Sequence, residues 1–444
     1  MPPSAARVAA FDILLRVEQQ DAYASELLHS GRVDKLSAAD RGLTTEIVMG
    51  VLRWQSRLDG AIATKSARPL AKLDAEVRVA LRVAAYQLLF LTRVPASAAI
   101  NDSVELVKRA RKTSAAPFAN AVLRKLTKAE PAESSNASAT AAQRLAQEFA
   151  HPEWLVLRWV AQYGIENAEA LCRHNQHVPP TCIRIDSEQI AQELENDGVQ
   201  LAPGALLTSA RTITGGDVAR TRAYRQGRVF IQDEASQLVA ALVGTGSRIL
   251  DCCAAPGSKT AALAARSPSA EIVAVELHPH RAELLRTRVR ANNVRVLTAD
   301  ALHLPLTGQF DRVLVDVPCS GTGTLGRNPE IKWRLKGDDL PELHEKQVAI
   351  LQSALQQLAP GGRAIYSTCS LEAEENQAVV GEVVGSHANI TVLDCRSELK
   401  RLRSMGELAW SNIDSLLEGP FIRTIPGIHP CDGFFAAVLQ RDGE

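Results

Sequence analysis

Asp251-Cys252-Cys253-Ala254-Ala255-Pro256-Gly257-Ser258-Lys259-Thr260 is the stretch on which the fold turns. It follows Arg248–Cys252, a short apolar run that reads as a buried strand, and leads into Thr260–Ala265, which reads as a helix. Outward from it the alternation continues. Glu271–Glu276 is a strand, Arg281–Asn292 a helix, and Val294–Thr298 and Arg312–Asp316 are strands. The long helix Leu343–Leu358 precedes a strand at Arg363–Ser367, and Ile390–Leu393 and Phe434–Gln440 close the series. Strands alternating with helices predict a doubly wound α/β sheet, whose ligands gather at the carboxyl ends of the strands.

The loop itself lacks Gly-x-Gly-x-x-Gly, which argues against a nicotinamide site. It is not a P-loop either: Ser258 separates Gly257 from Lys259, and position 252 is cysteine where that motif needs glycine. What remains is a small-residue turn at a helix N-terminus, where backbone N–H groups come close to a polar or anionic ligand. Glu276 ends the next strand, placed to accept from both hydroxyls of a ribose, and Asp300 follows the third, placed to meet a nucleobase amino group. A loop, an acid and a second acid in this order point to a nucleoside cofactor with an amino-acid tail, S-adenosylmethionine. Strand-end acids that merely cap helices are the plainer alternative.

Two further strand ends carry cysteines. Asp316-Val317-Pro318-Cys319-Ser320-Gly321 follows one apolar run, and Tyr366-Ser367-Thr368-Cys369-Ser370 closes another. A single cysteine is most often a small buried hydrophobe. Two of them on strand-end loops beside a cofactor loop suggest covalent chemistry on an electron-poor ring: one thiol as nucleophile, a neighbouring group assisting elimination.

Composition sets the frame. Across 444 residues, 46% hydrophobic and 23% charged content is that of a globular protein with two or three domains. Charged residues interrupt the N-terminal apolar stretch, and no run is long enough to cross a bilayer, so neither a signal peptide nor a membrane span is expected. Eight irregularly spaced cysteines, with no Cys-x-x-Cys, predict neither a disulfide framework nor a zinc site; the expectation is a reduced, cytoplasmic protein without metal. The net charge is zero, yet residues 1–130 carry 20 basic against 13 acidic side chains, a surplus of seven that the rest of the chain cancels. That asymmetry, concentrated at Lys108, Arg109, Arg111, Lys112, Arg124, Lys125 and Lys128, fits a helical module touching nucleic acid, or equally a solvated helix surface.

Asp316–Gly323, Asn328-Pro329-Glu330-Ile331-Lys332-Trp333, Tyr366–Ser370 with Glu374-Glu375-Asn376, and the Asp251–Thr260 loop together resemble the Nop/Sun family of RNA cytosine-C5 methyltransferases. Residues 5–130, with Ala39-Asp40-Arg41 and Phe118–Arg124, look like a NusB-type RNA-binding domain, an appendage typical of the family's bacterial small-subunit rRNA branch. The resemblance covers the whole chain. The Pro-, Ser-, Thr- and Ala-rich stretch after Glu130 reads as a linker, 131–148, and the short strand and helix patterns that follow as a small α/β subdomain, 149–228; the resemblance implies an all-α NusB-like domain over 1–130 and a Rossmann-like S-adenosylmethionine-dependent methyltransferase domain over 229–444. It implies Cys369 as nucleophile on cytosine C6, Cys319 in product release, and Asp316 between cofactor and base. Cys253, Ala254, Ala255, Pro256, Gly257, Ser258 and Lys259 would cradle the methionine end, with Glu276 on the ribose and Asp300 near the adenine. Lys332 would be a polar partner in the same pocket. The implied partner is small-subunit (16S) rRNA, met by a monomer. Ser258 stands where the family usually has glycine, which would strain it if that position requires positive φ; Val317 replaces the commoner alanine. A DNA cytosine methyltransferase, an amino-directed methyltransferase and a catalytically silent RNA-binding protein are the competing readings. Cys369 speaks against the first, and the absence of an aromatic residue at 319 against the second.

Overall fold

The computed structural model describes residues 2–127, 139–306 and 308–443. It divides into two units: residues 1–178 together with 325–334, and residues 179–324 together with 335–444.

The first unit is helical. Ala5–Gln19, Ala38–Ala63, Ala75–Phe90, Ala96–Arg109 and Ala116–Leu126 surround a core that includes Phe11, Leu14, Ile47, Val51, Leu81, Leu106 and Leu123. Ser37 starts the longest of these by accepting from the Asp40 N–H, one of the four donors a helix N-terminus leaves unpaired. Residues 139–148 depart from the expected linker. Ala141–Glu148 is a helix, opened by a capping box in which Thr140 and Gln143 satisfy each other's backbone N–H groups. The rest of the expected linker, 131–138, and Lys128 lie outside the described residues. The helices Glu153–Tyr163 and Ile165–Asn175 also belong to this unit.

Leu325–Arg334 completes the helical unit from far along the sequence. Arg53 donates to Gly326 O, Trp333 Nε1 to Leu52 O, and Arg334 to Val17 O, while Glu330 Oε1 accepts from the Ala24 N–H. Lys332 is 1% exposed and donates to Arg53 O at 2.9 Å.

The second unit holds two sheets. The smaller comprises β1 (Thr181–Arg184), β2 (Gln200–Pro203), β3 (Ala210–Gly215) and β4 (Phe230–Ile231), antiparallel in the order β2-β3-β1-β4. With the helices Glu188–Asn196 and Arg222–Arg225 its chain order is βαββαβ, the ferredoxin-like arrangement.

The larger sheet has nine strands: β5 (Arg248–Asp251), β6 (Glu271–Glu276), β7 (Val294–Thr298), β8 (Phe310–Asp316), β9 (Leu358–Thr368), β10 (Ile390–Leu393), β11 (Leu417–Glu418), β12 (Phe421–Thr424) and β13 (Phe434–Arg441). The order β7-β6-β5-β8-β9 is parallel throughout, and β13, β12 and β11 continue it antiparallel, with β10 on β13. The central strands are apolar on both faces, as a sheet covered by helices requires: Val273, Val275, Val313, Val315 and Ala364 pack on one side, Ile249, Ile272, Leu314 and Ile365 on the other. Chain progression reverses direction between β5 and β8, which makes that pair the topological switch point. The loops after β5, β8 and β9 all leave from carboxyl ends on this side.

Candidate active site

Register brings the three loops together. Asp251 ends β5 opposite Leu314 of β8, and Asp316 at the end of β8 pairs with Ser367 of β9. Cys319 and Cys369, fifty positions apart in sequence, stand with their sulfurs 3.2 Å apart. Both are half-buried, and neither is in a disulfide. The Cys319 thiol is pushed well above the usual thiol range, first by its hydrogen bond to Cys369, then by burial and by the charge of Glu375.

Beside the sulfurs, Lys259 Nζ donates to Asp316 Oδ2 at 2.8 Å, and Ser367 Oγ donates to Asp316 Oδ1 at 2.6 Å. Burial alone would lower the Lys259 ammonium, but the charge and hydrogen bond of Asp316, with Cys369 behind them, carry it above its ordinary value. Lys259 therefore presents a fixed positive charge near Cys369, with its Nζ 5.3 Å from the Phe434 ring centroid.

The loop after β5 is built for close approach. Gly257 has φ +106°, and a Cβ there would lie 2.6 Å from Leu285 Cδ1 and 2.8 Å from Val289 Cγ2, so only glycine fits. Ser258 opens the helix Ser258–Arg266 and is not strained, because the left-handed position is Gly257. The Ala255–Pro256 peptide is cis. Cys253 lines the loop half-buried, and the Ala254 N–H donates to Val275 O, which ties the loop to β6. Asp251 is buried, with Oδ2 accepting from Thr260 Oγ1 and Oδ1 without a partner. Burial pushes its carboxyl up to about 7, against the opposing hydrogen bond from Thr260. Glu276, 5% exposed, accepts from the His278 N–H through Oε1, and Asp300 accepts from the Leu302 N–H through Oδ1. A buried, orphaned carboxylate oxygen, a glycine turn and two strand-end acids suit the amino, ribose and adenine donors of S-adenosylmethionine.

The structure thus places Cys253 through Lys259, Asp316, Cys319 and Cys369 at neighbouring strand ends, with Glu276 at the end of β6 and Asp300 just after β7. Lys332 is different. It belongs to the helical unit, where burial pushes its amine well below the lysine range, and it lies on Arg53 O near Cys172 and His151. Its place beside Trp333 in a motif of the methyltransferase sequence gave no sign of this. The basic cluster is partly neutralised: Lys108 pairs with Glu105, Arg109 with Asp12 and Lys112 with Asp74, while Arg111, Arg124 and Lys125 are exposed. Sequence reasoning missed the role of Glu375, which accepts from residues of both thiol loops. Its signal was Glu374-Glu375-Asn376, quoted above as part of the motif set but given no role.

A parallel sheet with paired thiols and a glycine-turn loop at its switch point has the layout of a Rossmann-like methyltransferase unit. Comparison with known proteins narrows the class. Residues 242–440 match the family model described as 16S rRNA methyltransferase RsmB/F, residues 4–128 match the NusB family, and residues 151–217 match the ferredoxin-like domain of the RsmF/B-like methyltransferases. The chain is 31% identical over 458 residues to the probable ribosomal RNA small subunit methyltransferase B of Bacillus subtilis, covering 100% of both chains. It is 30% identical to ribosomal RNA small subunit methyltransferase B of Vibrio cholerae, covering 98% of this chain and 97% of that one. Among solved structures, PH0851 superposes with a TM-score of 0.81 at 25% identity over 99% of this chain and 100% of its own. The chain belongs to the RsmB/F family of S-adenosylmethionine-dependent 16S rRNA methyltransferases. Among the described residues, no helix is long and apolar enough to cross a membrane.

Proposed function

We propose that this chain methylates C5 of a cytosine in small-subunit rRNA through a covalent Cys369–C6 adduct. The observation that carries the reading is the 3.2 Å approach of Cys319 and Cys369 beside the Lys259–Asp316 pair. S-adenosylmethionine, when bound, supplies an electrophilic methyl group. Cytosine C5 is too weak a nucleophile to take it unaided. Cys369 Sγ bonds to C6, and the electron pair of the C5–C6 double bond becomes available at C5. Asp316 meets the N3/N4 edge of the base, and Lys259 holds Asp316 in place while balancing the charge of the attacking sulfur. After transfer, the C5 proton passes to Cys319 Sγ once that thiol has given its own proton to solvent, the C5–H electrons restore the C5–C6 double bond, and the pair of the broken Sγ–C6 bond returns to Cys369 Sγ. The base must be unpaired or flipped to reach these groups. Cys253 through Lys259, with Asp316, would hold the methionine end of the cofactor, Glu276 its ribose and Asp300 its adenine.

The test is a denaturing gel of wild type, Cys319→Ala and Cys369→Ala after incubation with deproteinised small-subunit rRNA and S-adenosylmethionine. A slow-migrating protein–RNA band is expected to accumulate only with Cys319→Ala, and neither adduct nor 5-methylcytosine with Cys369→Ala. An adduct formed by Cys369→Ala would reverse the thiol roles. Inactivity of every variant and of wild type would favour a silent RNA-binding protein.

A further inference from the structure

We infer that Glu375 is the positioning residue that sets the spacing of the two thiols, by gripping the residue next to each of them. The inference rests on the roles given to Cys319 and Cys369 above. Glu375 is fully buried in the short turn Ala373–Glu375 that follows β9. Its Oε1 accepts from the Ser320 N–H at 2.8 Å and from Gln347 Nε2 at 2.9 Å. Its Oε2 accepts from the hydroxyls of Ser320 and Ser370, whose oxygens are 3.0 Å apart. Ser320 follows Cys319 and Ser370 follows Cys369, so one carboxylate holds both loops one residue from the reacting sulfurs.

The surroundings fix the carboxylate in turn. Tyr366 donates its hydroxyl to Glu375 O at 2.6 Å, and Gln347 also donates to Pro318 O at 3.0 Å, just before Cys319. Asn376 accepts from Thr368 Oγ1 and donates to Ser370 O at 3.0 Å, closing the Cys369 loop from its other side. Every donor to the Glu375 side chain is neutral, and a buried carboxylate without a cation is costly unless its hydrogen bonds are complete. Both oxygens of Glu375 are satisfied, and a buried network centred on such a carboxylate confers rigidity. Rigidity matters here because displacing a reacting group by about 1 Å can lower a rate about a hundredfold.

Disulfide closure reads the thiol spacing with no RNA or cofactor present. Diamide takes two electrons and two protons from the pair, becoming a hydrazine while the Sγ–Sγ bond forms, and intact-mass spectrometry follows the loss of two hydrogens. Closure is expected to slow about tenfold in Glu375→Ala, with partial rescue in Glu375→Gln, which keeps an acceptor. The kcat for methylation should fall in parallel while the KM for S-adenosylmethionine holds. Ser320→Ala with Ser370→Ala should reproduce the loss, and these two serine changes and Glu375→Gln carry the test if Glu375→Ala does not fold. Closure at the wild-type rate in all folded variants would overturn the inference. Slowed closure in a chain that never methylates RNA would uphold the role of Glu375 and defeat the proposed function instead.

Discussion

Lys259 of the sheet unit and Lys332 of the helical unit are both largely buried, yet their amines are shifted in opposite directions. Lys259 has Asp316 Oδ2 at 2.8 Å and is held above its ordinary value. Lys332 has no carboxylate among the described residues: it donates to Arg53 O and lies 5.0 Å from the Trp333 ring centroid, and burial, with repulsion from the Arg53 guanidinium, drives its amine well below. The nearest anion decides the outcome. A buried lysine with a carboxylate is an electrostatic tool, and one with a carbonyl is a strut.

The largest expected effect separates tool from strut. Lys259→Met should lower single-turnover methylation by at least about a hundredfold, since it removes a fixed charge from the reacting site. Lys332→Met should change the rate little in protein whose helical unit remains folded. Equal losses would end the distinction. A second measurement uses linkage. Because the folded amine of Lys332 lies below its unfolded value, the unfolded chain binds more protons between the two, and the helical unit should gain stability as pH rises through that window. The slope should approach about 1.4 kcal/mol per pH unit, read by urea denaturation at several pH values, and Lys332→Met should flatten it. The smallest effect concerns the acids. Asp316 has a cation, whereas Asp251 has a bare Oδ1 and a carboxyl pushed up to about 7. Its folded value lies above its unfolded one, so stability of the sheet unit should decline as pH rises from the ordinary carboxylate range through 7. Asp251→Asn should remove that decline, whose slope can reach about 1.4 kcal/mol per pH unit. An unchanged profile would mean that Asp251 meets a donor.

Much of this was legible in the sequence, for identifiable reasons. The parallel strands announce themselves because burial on both faces demands continuous apolar runs, as in Ile249–Leu250 and Val313–Val315. The thiol loops follow because such strands deliver their ends to one crevice. Three things could not be read that way. Lys332 sits in a motif surrounded by methyltransferase sequence, and only the fold assigns it to the helical unit. Glu375 is one of two adjacent acids, and nothing local says which points inward. The helix Ala141–Glu148 has too few large apolar residues for periodicity to show, although its Thr140–Gln143 capping box was there to be read.

Leu325–Arg334 has a consequence for how such a protein can be divided or inherited. The helical unit is completed by ten residues encoded inside the methyltransferase region, so the polypeptide passes between the units three times, near residues 178, 324 and 334. A single recombination junction cannot separate them. A gene fragment ending near residue 178 encodes helices lacking Trp333 and Arg334 as partners, and the remaining fragment carries Ile331 and Lys332 with nothing of the helical unit to bury them.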